Sequence, residues 1–407
     1  MQDNYKKYAE LLLKRCLCLG EKIRPLLITA PVRAIDFIEV LTHTAYEIGV
    51  TDIYFDWTDE VLKHEQLMVL SDEDLIKSPF WHKAIYDEYA SKEAAFLMLY
   101  SDDIDLMSDV NPNKITLVSN HSRASRPLFK KLQKTDIVPW CIALAPVEGY
   151  ANRVFSNAEK PLKAAWDAIF KSCLIYENNP IEAWNKKVEK NKQRVNLLNE
   201  KRFKYLHFTN SLGTDLKVEL PDKHLWEGAG KENGEGLSLI VNMPTEEVFT
   251  SPLRTGINGM VYSSKPLVHN GALIENFSFR VENGKITEVN AEKGQEVLRQ
   301  MIMADDCACY FGEVALVDDD SPISNTNIIF YETLYDENAS CHLAIGDGFP
   351  RCIENGVNMS KEELLENGIN QSLVHTDFMI GTPDLSIVGT TFDEETIAVF
   401  ENGNFVL

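Results

Sequence analysis

The first half of the chain alternates short apolar runs with amphipathic stretches. Residues 26–31 (LLITAP) are a continuous apolar run closed by proline. After it Ile35, Ile38, Leu41, Ala45 and Ile48 recur at helical spacing up to Gly49, where a left-handed C-cap is expected. Residues 52–57 (DIYFDW) form a β-rich run, so this segment has the size of a βαβ unit. Residues 94–101 (AAFLMLYS) and 140–147 (WCIALAPV) predict two more buried strands, separated by helical material around Ser125–Leu132. Buried strands alternating with helices imply a parallel sheet covered on both faces.

Residues 161–174 predict an amphipathic helix with Leu162, Ala165, Trp166, Ile169, Phe170 and Cys173 on one stripe. The charged stretch 181–204 (with KKVEKNKQR) predicts a solvated helix bridging two domains. From Tyr205 the pattern changes to short strands and glycine-rich turns: YLHFTNS, GTDLKVEL, LSLIVN, GMVYSS, FSFRVENGKITEVN and AVFENGNFVL. ENGK and ENGN predict hairpin turns, because Asn-Gly adopts positive φ at little cost. A short helix is expected over Ser360–Glu366. The expected architecture is an N-terminal α/β domain with a parallel sheet (1–204) and a β-rich α+β domain (205–407).

Composition fits that picture and narrows the partners. Apolar residues make up 44% of the 407 positions and charged residues 25%, enough for a large core under a solvated surface. Forty basic against 62 acidic residues give a net charge of −22, which argues against nucleic acid or an anionic membrane as partner. Eight cysteines include no CxxC pair, the start is too charged for a signal peptide, and no stretch reaches a membrane span. A cytoplasmic chain with reduced thiols is expected. There is no Walker loop, no GxSxG elbow and no dinucleotide fingerprint; GAGKENGEG (228–236) reads as a flexible loop.

Four segments of the second half put acids and histidines where apolar neighbours make them costly. NMPTEEVFTSP (242–252) carries Glu246 and Glu247, YFGEVALV (310–317) carries Glu313, YDENASCHLAIG (335–346) carries Glu337 and His342, and SLVHTDFMIG (372–381) carries His375 and Asp377. In a strand His375 and Asp377 share a face, whereas Glu246 and Glu247 point oppositely, so only one of that pair can be a direct ligand. Coordination of a metal offsets the cost of burying such groups, and imidazole with several carboxylates suits zinc, cobalt or manganese.

Together these segments resemble the thermophilic aminopeptidase family of the aminopeptidase T, aminopeptidase S and PepS type. The strings that carry the resemblance are GTDLKVEL, NMPTEEVFTSP, GEVALV, ENASCHLAIG and HTDFMIG, in that order. The resemblance implies a cytoplasmic, homodimeric metalloaminopeptidase that removes N-terminal residues from peptides at a pair of divalent metal ions (Zn, Co or Mn). Carried over by motif, the metal ligands are Glu247, Glu313, Glu337, His342, His375 and Asp377. Glu247 is preferred to Glu246 by its spacing to Glu313. Glu246 and Glu247 are the expected proton-transferring carboxylates.

One position departs from the family pattern. In HLAIGDGFP, Phe349 stands where the family usually has a tyrosine, and Asp347 and Gly348 also differ from the usual small residues. Phenylalanine keeps the ring but can neither coordinate nor donate a hydrogen bond. The alternatives to an active aminopeptidase are therefore a weakened paralogue that binds peptide or metal, and another binuclear metal hydrolase.

Overall fold

The structure is a computed structural model and describes residues 1–101, 105–134, 137–230, 232–269 and 271–407. It divides into two compact units, Met1–Lys186 with Gly230–Thr245, and Lys187–Ala229 with Glu246–Leu407. The expected boundary at 204/205 thus lies inside the second unit. Lys231, within the GAGKENGEG stretch, lies outside the described residues.

The first unit is built on a five-stranded sheet in the order Ile53–Thr58, Leu26–Pro31, Ala95–Tyr100, Trp140–Leu144, Asn242–Met243, with every pair parallel. Leu26–Pro31 is buried along its whole length, as its unbroken apolar run predicts. Helix Ile35–Ile48 follows and ends at Gly49, whose φ of 104° is open to glycine but strained for other residues. The helix Pro161–Ser172 turns Ala165, Trp166, Ile169 and Phe170 inward. There Trp166 and Phe170 pack with Tyr5, Tyr8 and Phe37 in an aromatic cluster. The last strand departs from the sequence reading, which gave LSLIVN to the β-rich domain. Ile142 and Ala143 pair with Asn242 and Met243, a partner too distant and too short to leave any periodicity.

In the second unit a nine-stranded antiparallel sheet carries the hairpin Ala272–Glu282/Lys285–Lys293. Asn283 and Gly284 turn it with φ of 50° and 79°, the positive values that Asn-Gly predicts. Ser360 and Glu363 form a capping box on the helix Lys361–Glu366. A second sheet of five strands runs in the order His375–Met379, His342–Gly346, Phe311–Leu316, Val248–Thr250, Glu227–Gly228, all antiparallel. Both sheets send side chains into one core that includes Phe208, Val261, Phe279, Val314, Leu343 and Phe378.

The charged stretch folds as a single helix, Pro180–Lys201, but it is not solvated all round. Trp184, Val188, Asn191 and Leu198 are buried on it, spaced by three, four and seven residues as on one helical face.

Candidate metal centre

The five-stranded sheet separates its apolar residues from its acids by strand alternation. Val248, Val314, Leu316, Leu343, Ile345 and Phe378 enter the core on one face. Residues paired across a ladder share a face, so Glu313, Ala344 and Asp377 form one row of the other face. Phe249, Ala315, His342 and Met379 form the next row, and Gly346 stands opposite His375. Glu247 lies two residues before Phe249 and so joins this face. Ala315, Ala344 and Gly346 are small, which leaves room above the middle of the sheet for the longer polar side chains around them.

Those side chains converge. Glu247, Glu313 and His342 offer ligand atoms that all lie within 4.8 Å of one another, and so do Glu313, His375 and Asp377. Glu313 belongs to both groups. His342 Nε2 is 3.2 Å from Glu247 Oε2, and His375 Nε2 is 3.2 Å from Glu313 Oε2 and 3.4 Å from Asp377 Oδ1. All five residues belong to the second unit.

Each imidazole is fixed from behind. His342 Nδ1–H donates to the carbonyls of Glu337 and Ser340, both at 3.0 Å, and His375 Nδ1–H donates to the carbonyl of Asp347 at 2.8 Å. A carbonyl only accepts, so both Nδ1 atoms carry hydrogen, and in the neutral rings both Nε2 lone pairs face the acids. Two close backbone approaches make this possible at His375. Gly312 lies against the Asp347 carbonyl and Gly346, at φ 100°, against that of Val374.

Burial and mutual repulsion govern the charges. Burial pushes the Glu313 carboxyl up to about 7, with Asp377 and Glu247 adding to the rise and His375 opposing it. Glu337 is held well above the usual carboxylate range by burial first, then by Asp377 and Glu247. For Asp377 burial acts upward, but His375 and His342 outweigh it and hold the group below its ordinary value. Desolvation disfavours charge on the buried His342 and on His375, whose side chain keeps 29% of its surface exposed, yet the carboxylates around them raise both well above the ordinary histidine value. Asp377 Oδ1 is shut off from solvent and receives no hydrogen bond among the described residues. Three carboxyls, one of them with an orphaned oxygen, and two oriented imidazoles are a donor set that fits divalent cations.

The other two expected residues are placed differently. Glu246 turns away from Glu247 and forms an ion pair with Lys187. Its backbone N–H donates to Asn338 Oδ1 at 2.7 Å, while Asn191 Nδ2 donates to the carbonyls of Glu246 and Glu247, both at 3.4 Å. Glu337 closes the short helix Thr333–Glu337 and lies outside both groups of ligand atoms, although it stands in their field. Asn338 Nδ2 donates to its Oε1 at 3.3 Å. Phe349 lays its ring against His375 at 5.0 Å and against Phe249 at 5.2 Å between centroids.

Sequence reasoning did not single out Asn338, Asn191 or Lys187. Asn338 sits beside Glu337 in the ENAS string, and a fully buried asparagine there ties the two acidic segments together. Lys187 was hidden in a run of like residues, where nothing distinguishes one lysine from its neighbours.

Comparison with known proteins places the chain in a family. The chain is 39% identical over 372 residues to "Aminopeptidase AmpS" of Bacillus subtilis, covering 91% of this chain and 90% of that protein. It is 34% identical to "Aminopeptidase T" of Thermus aquaticus, over 100% of this chain and 99% of that one. The solved structure of wild-type AmpT from Thermus thermophilus superposes with a TM-score of 0.91 at 34% identity, covering 99% of each chain. The family model described as "Thermophilic metalloprotease (M29)" matches residues 1–405. The chain therefore belongs to the thermophilic metalloprotease (M29) family and is a metallopeptidase, a hydrolase of peptide bonds.

Proposed function

We propose that this metalloaminopeptidase removes N-terminal residues from peptides at a binuclear centre held by Glu247, Glu313, His342, His375 and Asp377, with Glu313 shared between the ions. The observation that carries this reading is the membership of Glu313 in both ligand groups, on the face of the sheet turned away from the core. Zinc, cobalt or manganese suits the nitrogen and oxygen donors. When bound, two such ions polarise the scissile carbonyl and acidify water.

The chain's own residues supply orientation and proton transfer. The Glu337, Ser340 and Asp347 carbonyls fix both imidazoles through Nδ1. Glu246 anchors the start of its strand through Lys187 and Asn338, so that Glu247 faces the centre. The pairing with Lys187 speaks against Glu246 as the mobile base. Glu337 takes that role: Asn338 holds its Oε1, and no hydrogen bond engages its Oε2 among the described residues. That oxygen receives a proton from water and returns it to the leaving amine.

The test compares two variants of metal-loaded protein on aminoacyl amides. Glu337→Gln should keep its metal stoichiometry and lose about 10²–10⁴ in kcat, whereas Glu247→Gln should lose metal. A Glu337→Gln protein with unchanged kcat would refute the proton role. A wild type that binds metal without hydrolysing any aminoacyl amide would point instead to a weakened paralogue. All eight cysteines are free, which supports a reducing, cytoplasmic setting. A homodimer would cover apolar side chains of the kind exposed at Leu62, Val69, Phe80 and Trp81 of the first unit, a reading that a monomer mass by light scattering would contradict.

A further inference from the structure

Two residues beside the ligand groups are aromatic rather than acidic. Phe249 follows Glu247 by two residues and pairs with Ala315, which in turn pairs with His342. Its ring therefore stands on the ligand-bearing face, and it takes no part in the core on the other side. Phe349 reaches the same face from the loop after Gly346. Its backbone N–H donates to Ser251 Oγ at 2.9 Å, and its ring touches those of both Phe249 and His375. Both rings are only partly buried. Phenylalanine has no polar atom, so neither ring can serve the ions or the proton path.

We propose that Phe249 and Phe349 form the wall against which the side chain of the departing N-terminal residue packs, so that the enzyme selects larger apolar residues over alanine and over acidic residues. This rests on the aminopeptidase reading above. A residue whose carbonyl lies at the ions starts its side chain two bonds from that carbon, within reach of a ring that already touches His375. Against this wall a leucyl or phenylalanyl group leaves water at a gain. An acidic side chain loses hydration there without finding a partner. Edge-to-face contact between Phe249 and Phe349, at 61°, holds the two rings as one surface.

The experiment measures kcat/KM of the metal-loaded, full-length protein on leucyl, alanyl and glutamyl fluorogenic amides. The wild type should prefer leucyl to alanyl, with glutamyl poorest. Phe249→Ala and Phe349→Ala should each lower the leucyl/alanyl ratio by about tenfold, the scale on which a hydrophobic pocket discriminates. An unchanged ratio in a variant that keeps its metal would overturn the proposal. Calorimetric binding of leucine and alanine hydroxamates gives a second readout that needs no turnover. If the wild type cleaves no aminoacyl amide, the aminopeptidase reading fails. A leucine preference in hydroxamate binding that is lost in Phe249→Ala still supports the wall, and equal binding of the two hydroxamates overturns it.

Discussion

Replacing Gly312 by alanine should weaken the metal centre without replacing a ligand. A Cβ on residue 312 would lie 2.0 Å from the Asp347 oxygen and 2.6 Å from that of Gly346, whereas real Cβ contacts essentially never fall under 3.0 Å. The Asp347 carbonyl must then give way by about 1 Å or more, since a packed interior has no slack to absorb the methyl. That carbonyl accepts the Nδ1–H of His375 at 2.8 Å, and a shift of about 1 Å takes the pair beyond hydrogen-bonding distance. His375 would lose the contact that fixes its ring and tautomer, and losing such a partner lowers metal affinity or activity about 10–100-fold. Overpacking adds a stability cost of about 1–3 kcal/mol. Calorimetric titration of zinc or manganese into the metal-free protein reads the affinity, and thermal unfolding reads the stability. Gly234→Ala is the control, because nothing lies within 4 Å of a Cβ there. A Gly312→Ala protein with wild-type metal affinity and kcat would show that the Asp347 carbonyl does not orient His375.

Metal binding should depend on pH through Glu313, which burial and its acidic neighbours push up to about 7. The ions need its carboxylate and the two neutral imidazoles, whose protonation the surrounding carboxylates favour, so apparent affinity should fall by at least about tenfold per unit below that value, with a proton release that calorimetry in buffers of different ionisation heat detects. A flat affinity from about pH 5.5 to 8 would contradict this. In the metal-free chain the sign is the usual one for a raised carboxyl. Folding favours the protonated form, so stability from this group is full below the ordinary carboxylate range and is lost as pH rises through about 7. For the Glu246–Lys187 pair, Lys187→Met leaves a buried carboxylate alone and should cost about 3–5 kcal/mol. The double variant Glu246→Gln/Lys187→Met should recover much of that, with the shape of the pH–rate profile unchanged in both. If Glu246→Gln abolishes kcat while metal content is intact, Glu246 carries protons after all.

Much of this molecule could be read along the chain, because its information is local there. The run 26–31 and the stripe ending at Gly49 announce a βαβ unit, and the parallel sheet follows from their alternation with the later strands. The turns at Asn283–Gly284 and Asn402–Gly403 were visible as Asn-Gly pairs. His375 and Asp377 were placed on one face by the two-residue period of a strand, and the ladder bears that out. The family was legible in the ordered motifs of the second half.

What only the tertiary structure decided is which distant residues meet. That Glu313 stands between two groups depends on strands 248–250, 342–346 and 375–379 taking fixed registers against its own, and register is set by long-range pairing. The return of Asn242–Met243 to the parallel sheet was equally invisible, since two residues carry no period. Strand alternation left open which of Glu246 and Glu247 faces inward. The structure turns Glu246 to Lys187, in a helix that the sequence presented only as a charged run. Glu337, Asn338 and the ring of Phe349 acquire their places in the same way. A sequence fixes which side chains are costly to bury, but the partners that offset that cost come from segments whose meeting depends on the whole fold.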